Sequence, residues 1–106
     1  MLTIIESPIF TKLWPDYWTE EDRGKFAAFI SHNPDAGDVI PRSGGCRKIR
    51  WSRAGMGKRG GVRAVYTARL ARGSVVLLVI HSKSARENIP AHVLRKIAEE
   101  MGHAKP

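Results

Sequence analysis

Positive charge is concentrated in one stretch of this sequence, Arg42 to Arg63, where lysine and arginine are interspersed with glycine. The stretch carries eight basic side chains, no acidic one, and six of the ten glycines in the chain. Arginine binds phosphate through paired hydrogen bonds, and preorganised cations stabilise the negative charge that develops on phosphate oxygens. An ordinary solvated helix face does not require this bias, so the composition of the stretch predicts a site for a polyanion.

The elements that must hold these cations begin with a strand. Residues Cys46 to Arg53 alternate in character, which puts Lys48 and Arg50 on one face and Ile49 and Trp51 on the other. We expect Trp51 to be a core residue, because it lies opposite the basic face. The alternation therefore predicts a strand with one cationic face and one buried face.

A second strand is expected to complete the cationic face. A basic, glycine-rich loop covers residues 54–61, and the strand predicted from Val62 to Ala68 places Arg63 beside the first two cations. After a tight turn, the apolar run Val75–Ile80 has the character of a central buried strand. Together these segments predict a three-stranded antiparallel meander.

The remaining elements flank this meander. Four segments are predicted: an N-terminal strand at Leu2–Ile5, a helix capped by Ser7 and lined by Ile9, Leu13 and Trp14, a helix capped by Thr19 and stopped by Asn33-Pro34, and a closing helix with the stripe Val93, Leu94, Ile97 and Met101. Residues 39–41 are predicted to be an extended connector. The fold class is therefore α+β, a small antiparallel sheet packed by two N-terminal helices and a C-terminal helix.

Length and composition limit the possible classes of protein. The 106 residues predict a single domain, residues 1–106. No apolar run reaches the ~20 residues of a membrane span, and the N-terminus lacks the features of a secretory signal. The single cysteine excludes an internal disulfide and favours a cytoplasmic location. The net charge of +8 makes nucleic acid the first partner to consider. On charge alone, an anionic membrane surface or an acidic protein is also possible.

Several segments occur together in an order that resembles a known family. They are KLW from residue 12, NPDAGD from residue 33, GGCRKIRW from residue 44, GKRGGVR from residue 57 and KSAREN from residue 83. Over roughly residues 1–101 the chain resembles the RelE superfamily of bacterial toxins, and within it the HigB-like branch. The blocks from residue 33 to 51 and from residue 57 to 63 carry most of this resemblance.

The resemblance implies a function and a set of partners. It implies the toxin of a type II toxin–antitoxin pair, an mRNA interferase that cleaves translated messages at the ribosome, without a metal or cofactor. The partners implied are messenger RNA, ribosomal RNA and a protein antitoxin, typically with a helix-turn-helix domain. Operator DNA would be bound only through the toxin–antitoxin complex, and no membrane is involved.

The resemblance also implies roles for individual residues. The family's paired basic residues and the arginine on the next strand correspond to Lys48, Arg50 and Arg63, and the basic residue after the last strand corresponds best to Lys83 or Arg86. The other cations expected to contact RNA are Arg47, Arg53, Lys58 and Arg59. The chain departs from the best-studied members at Ser84 and Pro90, near which those members carry a basic residue and a tyrosine.

Proton transfer needs groups that the cations alone do not supply. Lysine can act as a base only in its neutral form, which neighbouring cations favour, and Lys48 is our candidate. His81 is a candidate general acid, because histidine titrates near neutrality, and it stands where relatives often have tyrosine. No His, Asp or Glu pattern has the spacing of metal ligands, so no metal is expected.

Other interpretations share the same basic stretch. Lys48 and Arg50 can form a solvated strand face that contacts phosphate without chemistry, and His81 can simply cap the end of the sheet. The protein would then be a non-catalytic RNA- or ribosome-binding protein, such as a degenerate toxin, or a DNA-binding autoregulator. Charge does not separate these alternatives from an endoribonuclease.

Overall fold

The structure, a computed structural model, describes residues 1–51, 61–82 and 89–102. Most of the predicted basic loop and the segment that follows the last strand lie outside these ranges. The same is true of five of the predicted site residues: Arg53, Lys58, Arg59, Lys83 and Arg86.

A five-stranded sheet forms the centre of the described part of the chain. Its strands are β1 (Thr3–Glu6), β2 (Asp38–Val39), β3 (Cys46–Arg50), β4 (Val62–Arg69) and β5 (Ser74–Ser82). They lie in the order β1-β5-β4-β3-β2, with β1 parallel to β5 and every other neighbouring pair antiparallel. The longest strands, β4 and β5, therefore lie at the centre of the sheet.

The predicted α+β fold class is confirmed, with two differences in the sheet. The sheet is mixed, because β1 is not joined to β5 by a hairpin and pairs with it in parallel. The connector predicted at residues 39–41 contains part of an additional strand, since Asp38 and Val39 pair with β3 at the edge of the sheet. A two-residue strand carries too little alternation to be found in the sequence.

The first helix, α1 (Pro8–Leu13), begins as predicted at Ser7, whose hydroxyl accepts a hydrogen bond from the Phe10 amide. Pro15 ends it, and a 3-10 turn follows over Trp14–Asp16. The prediction that Ile9 lines its buried side is wrong: Ile9 is 40% exposed, whereas Phe10 is fully buried. Because Ser7 caps the helix through the Phe10 amide, the first turn is oriented so that the Phe10 side chain packs against the sheet.

The second helix, α2 (Glu20–His32), has the predicted boundaries. Thr19 and Asp22 form a reciprocal capping box, and the acidic first turn suits the positive end of the helix dipole. Phe26 and Ile30 are fully buried against the sheet. The helix ends at Asn33, before Pro34, as the sequence predicted.

The third helix, α3 (Ala91–Glu100), packs on the opposite side of the sheet. Leu94 and Ala98 are buried there, with Ile97 and Met101 partly buried beside them. Gly102 follows in a left-handed conformation, with φ of 74°, which is a common way for a helix to end. Within the described ranges, no helix has the length and apolar composition needed to cross a bilayer.

The sheet thus has two differently covered faces. The α1/α2 face, the side covered by the first two helices, has the buried cluster Phe10, Trp18, Phe26, Ile30, Val62, Ala64, Tyr66, Val75, Leu77 and Ile80. The α3 face, the side covered by α3, has the smaller cluster Cys46, Val65, Val76, Leu78, Val79, Leu94 and Ala98. Trp51 packs on the α1/α2 face, with its ring centroid 5.4 Å from that of Phe26, which confirms its predicted place in the core.

One irregularity interrupts the central strand pair. The register of β4 with β5 shifts between Val65, which pairs with Val79, and Tyr66, which pairs with Leu77. Leu78 is therefore the extra residue of a β-bulge and has no partner in this register.

Candidate active site

Four of the predicted site residues come together on the α3 face. Lys48 and Arg50 lie two residues apart on β3 and therefore share a face. Arg63 of β4 is directly opposite Arg50, and His81 of β5 is directly opposite Arg63. Side chains that are directly opposite across an antiparallel pair have Cβ atoms about 5 Å apart. The register thus lines up Arg50, Arg63 and His81 across three strands, with Lys48 beside them.

Arg63 lies at the centre of this row and has unused hydrogen-bonding capacity. Its Nη1 atom is buried and has no hydrogen-bond partner among the described residues. A buried donor without a partner is costly, and a charged one more so. Arg50, on the neighbouring strand, is exposed. The pair therefore combines an accessible guanidinium with one whose buried donor has no acceptor among the described residues.

Within the described ranges, no acidic side chain forms an ion pair with Arg50, Arg63 or His81. The ion pairs of the described ranges join Arg23 of α2 to Glu6 of β1, Lys25 to Glu21 within α2, and Arg95 to Glu99 within α3. The sequence contains no acid between Asp38 and Glu87. The row of cations is therefore available for an anion from outside the described part of the chain.

The imidazole of His81 is oriented by the backbone. Its Nδ1 lies 3.1 Å from the carbonyl oxygen of Ser82. A carbonyl oxygen only accepts hydrogen bonds, so this contact requires a proton on Nδ1. Nε2 is then the ring nitrogen that can exchange a proton with a ligand.

A cleft of about 230 Å³ adjoins the row of cations. Lys48 and His81 contribute to its wall, and the other lining residues among those described are the aliphatic side chains Ile40, Val65, Ile89 and Leu94. Ile89 lies just before α3 and Leu94 within it, so the helix forms one side of the cleft. The site therefore has a charged part on the strands and an apolar part under α3.

The strand missed in the sequence brings an acidic group to Lys48. Asp38 of β2 is directly opposite Lys48 of β3 and is exposed. Directly opposite residues share a face, so the carboxylate and the ammonium are neighbours. The signal available in the sequence was weak, because Asp38 belongs to a turn-like run and its strand is only two residues long.

Arg47, predicted to bind RNA, lies on the other face of the sheet. It pairs with Tyr66, a residue of the α1/α2 cluster. Its Nη1 donates hydrogen bonds to the carbonyl oxygens of Gly37, at 2.7 Å, and Asp35, at 3.2 Å. The structure therefore places this guanidinium on the backbone of the turn before β2, away from Lys48 and Arg50.

Tyr66 holds the same turn from inside the core. Its hydroxyl donates to the Pro34 carbonyl oxygen at 2.8 Å and accepts from the Gly37 amide at 2.9 Å. Burial raises the pKa of this phenol above its ordinary value, against the lowering effects of the Gly37 amide and the Arg47 charge. A Cβ atom at residue 37 would lie 3.0 Å from the Lys48 carbonyl oxygen and from the Tyr66 ring, so glycine is needed there.

The turn between β2 and β3 fixes the start of the strand that carries Lys48. The buried Ser43 hydroxyl donates to the Ile40 carbonyl oxygen at 2.6 Å and accepts from the Cys46 amide at 3.0 Å. Arg42 adopts a left-handed φ of 63°, which is uncommon for a residue with a side chain. Burial raises the pKa of the Cys46 thiol, so this cysteine is a packed residue rather than a reactive one.

Comparison with known proteins gives a structural neighbour. No family model matches the sequence. The crystal structure of the isolated E. coli RelE toxin is similar to this chain with a TM-score of 0.57 and 16% sequence identity, covering 95% of this chain and 99% of that one. The chain has a RelE-like fold. At this identity the comparison defines the RelE-like architecture and leaves the residues of the site to be judged on their own geometry.

The RelE-like sheet presents a site suited to phosphate chemistry. Two arginines lie directly opposite each other across β3 and β4, a lysine lies on the same face, and a histidine has a second ring nitrogen, Nε2, that its contact with Ser82 does not use. Such a set can bind a phosphodiester, stabilise added negative charge and transfer protons. Among the described residues, no group of three or more His, Cys, Asp or Glu side chains is arranged to hold a metal ion.

Proposed function

We propose that this chain is the toxin of a type II toxin–antitoxin system, of the HigB-like branch, and acts as an mRNA interferase. In this proposal it is a single cytoplasmic domain, residues 1–106, that cleaves translated messenger RNA at the ribosome without a metal or cofactor. The RelE-like fold supports the proposal at the level of architecture. The site itself supports phosphodiester chemistry.

One observation carries the proposal. The buried Nη1 of Arg63 has no partner among the described residues, and it lies between exposed Arg50 and His81 on one face of the sheet. Buried donors are usually paired, and Arg23, the other described residue with a buried donor lacking a partner, forms an ion pair with Glu6 through its Nη1, whereas Arg63 has no ion pair among the described residues. A phosphate oxygen supplies the missing acceptor for Arg63.

The proposed reaction uses the 2′-hydroxyl of the RNA as nucleophile. Lys48, in its neutral form, takes the 2′ proton as the 2′-oxygen attacks the adjacent phosphorus. Arg50 and Arg63 bind the non-bridging phosphate oxygens and stabilise the charge of the transition state. His81, carrying protons on both ring nitrogens at this step, donates its Nε2 proton to the 5′-oxygen as the P–O5′ bond breaks. The products are a 2′,3′-cyclic phosphate and a 5′-hydroxyl.

Further contacts to RNA are assigned to cations around this centre. Lys83 is proposed to assist at the phosphate, and Arg53, Lys58, Arg59 and Arg86 to bind the backbone of mRNA or ribosomal RNA, all five lying outside the described residues. Arg47 is not retained in this set, because its guanidinium binds the turn at residues 34–37. A helix-turn-helix antitoxin is proposed as the protein partner, with operator DNA bound only by the complex.

The proposal is tested by expression and primer extension. Induction of the chain in a bacterial host should stop growth, and co-expression of the adjacent open reading frame should restore it. Primer extension on a translated message should then reveal new 5′ ends. Arg63→Ala should reduce cleavage about 100-fold or more, the typical loss when one preorganised charge-stabilising donor is removed.

Two variants keep this test interpretable. Arg63→Lys retains the charge but not the paired hydrogen bonds, so it should fold and still cleave poorly. Arg72→Ala removes an exposed arginine from the turn before β5 and should cleave at the wild-type rate. Growth arrest with intact messages would show a non-catalytic binding protein instead, and harmless expression of soluble, folded protein would contradict both interpretations.

A further inference from the structure

The cleft under α3 has the size and lining of a site for a flat ring. Its volume is about 230 Å³, and four of its six described lining residues are aliphatic: Ile40, Val65, Ile89 and Leu94. Protein interiors leave few voids larger than a water molecule. An apolar cavity of about 150 Å³ is enough to hold a benzene-sized ring. The cleft can therefore hold a pyrimidine or a purine.

The distance from two residues of the cleft wall to the arginines is similar to the distance between the base and the phosphate of a nucleotide. Lys48, in the wall of the cleft, is two residues before Arg50 on β3, and Val65, also in the wall, is two residues after Arg63 on β4. Two residues along a strand span about 6.8 Å. The wall residues Lys48 and Val65 thus lie roughly one nucleotide unit from the Arg50–Arg63 pair, and the cleft reaches that pair at His81, which is directly opposite Arg63.

Charge favours a nucleic acid over an apolar protein segment as the occupant. The polar groups in the wall are Lys48 and His81, and the adjoining row continues with Arg50 and Arg63, so the mouth of the cleft is cationic. The base of a nucleotide can occupy the apolar pocket while its phosphate stays in contact with these cationic side chains. An aliphatic side chain of a protein partner would leave the arginines unused.

We infer that this cleft is a nucleobase pocket, which takes an unstacked base of the RNA whose phosphate is held by Arg50 and Arg63. The inference rests on the proposed function and adds a binding site to it. A base in the cleft and a phosphate on the arginines place the ribose between them, beside Lys48. The pocket would thereby deliver the 2′-hydroxyl to the residue proposed to deprotonate it.

The test compares two oligonucleotides that cannot be cleaved. One is a 2′-deoxy trinucleotide, and the other has the same sugar-phosphate backbone with abasic positions. Wild-type protein should bind the first about tenfold more tightly than the second, because packing a base against a protein platform has an effect of this order. NMR titration should show the methyl groups of Val65 and Leu94 shifting only with the base-containing ligand.

Two neighbouring residues of the edge strand provide a variant and its control. Ile40 lines the cleft, whereas Val39 is 56% exposed and pairs with Arg47 of the other face. Ile40→Phe should fill the cleft and abolish the tenfold preference, while Val39→Phe should retain it. Arg50→Ala should weaken both ligands by the same factor, since both carry the same phosphates.

The outcomes separate this inference from the proposed function. Equal binding of the two ligands by wild-type protein, or base-dependent shifts confined to residues away from the cleft, would overturn the nucleobase pocket even if the protein cleaves RNA. A tenfold preference in a protein that leaves messages intact would support the pocket and contradict the nuclease. The methyl titration uses wild-type protein, so the inference stays testable if Ile40→Phe does not fold.

Discussion

The two faces of the sheet use the same kind of residue in opposite ways. On the α1/α2 face, a ten-residue buried cluster is sealed by aromatic rings, and the guanidinium of Arg47 is bound to the backbone of a turn. On the α3 face the buried cluster has seven residues, and a buried donor of Arg63 has no partner among the described residues. A cleft adjoins each face, of about 230 Å³ beside Lys48 and about 210 Å³ beside Arg47. The difference between the faces therefore lies in these two arginines of the sheet: the guanidinium of Arg47 is bound by backbone carbonyl oxygens, whereas that of Arg63 has a buried donor without an acceptor among the described residues.

The contrast is sharpest at two adjacent residues. Arg47 and Lys48 are neighbours in sequence with the same charge, yet the alternation of β3 sends them to different faces. In this strand the sign of the charge says little about a residue's role. We expect the face on which each residue lies to decide whether it stabilises the fold or binds a ligand.

The largest expected effect comes from exchanging these neighbours for alanine one at a time. Lys48→Ala should lower RNA cleavage by about 100-fold or more, as the loss of a general base does. Arg47→Ala should leave cleavage by the folded protein near the wild-type rate. It should instead lower the free energy of unfolding by about 1–2 kcal/mol, because it removes hydrogen bonds from a charged donor.

Cleavage rates and urea unfolding curves of both variants test this comparison. The control is the double variant, whose cleavage rate should match that of Lys48→Ala, since the Arg47 side chain lies on the other face of the sheet. A loss of activity in Arg47→Ala as large as that in Lys48→Ala, with the protein fully folded, would remove the proposed division between the faces.

A smaller effect is expected at Tyr66, which holds the turn at residues 34–37 on the α1/α2 face. Tyr66→Phe removes a buried hydroxyl that donates to Pro34 and leaves the Gly37 amide without its acceptor. The free energy of unfolding should fall by about 2 kcal/mol at pH 7. Cleavage by the folded protein should change little, because the hydroxyl lies away from the cations.

The pH dependence of this difference follows from the raised pKa of Tyr66. The folded chain keeps the phenol proton to higher pH than the unfolded chain, whose tyrosine has the ordinary pKa of 10.0. The stabilisation from Tyr66 is therefore complete below pH 10.0 and is lost as the pH rises through its folded pKa. Unfolding curves from pH 7 to 11 should show the wild-type advantage over Tyr66→Phe narrowing at alkaline pH. Tyr17→Phe controls for the loss of a phenol elsewhere, and an advantage that stays constant across this range would contradict the assignment.

The smallest effect is expected where the edge strand meets the site. Asp38→Asn removes the negative charge opposite Lys48, so an anionic phosphate should meet less repulsion there. Because Asp38 is exposed, cleavage should increase only about twofold. Asp35→Asn, in the turn held by Arg47, is the matched control. A decrease in activity would instead give Asp38 a role in orienting Lys48.

Local sequence signals predicted much of this fold. The caps at Ser7 and Thr19, the stop at Asn33-Pro34 and the alternation of β3 each depend on residues close together in the chain. They gave the helices, the three-stranded meander and the common face of Lys48 and Arg50. Strand pairing then added Arg63, since a meander brings β4 beside β3.

What the sequence did not reveal depends on contacts between distant segments. The pairing of Asp38 with Lys48 requires the turn at residues 34–37 to be held by Tyr66, 29 residues beyond Gly37. The cleft requires α3, at the end of the described chain, to pack beside β4. The separation of Arg47 from the site follows from the alternation of β3. Arg47 was nevertheless predicted to bind RNA together with the other cations, because it belongs to the same basic stretch.

The bulge at Leu78 determines which side of the protein His81 belongs to. Before it, Val75 and Leu77 face the α1/α2 cluster, and strict alternation from them would carry His81 to that same buried side. The extra residue inverts the parity of the strand, so that His81 emerges opposite Arg63 among the cations. One inserted residue thus reverses which face each later residue of β5 occupies. Deleting Leu78 would leave the composition of the strand almost unchanged and would move His81, the proposed proton donor, to the α1/α2 face.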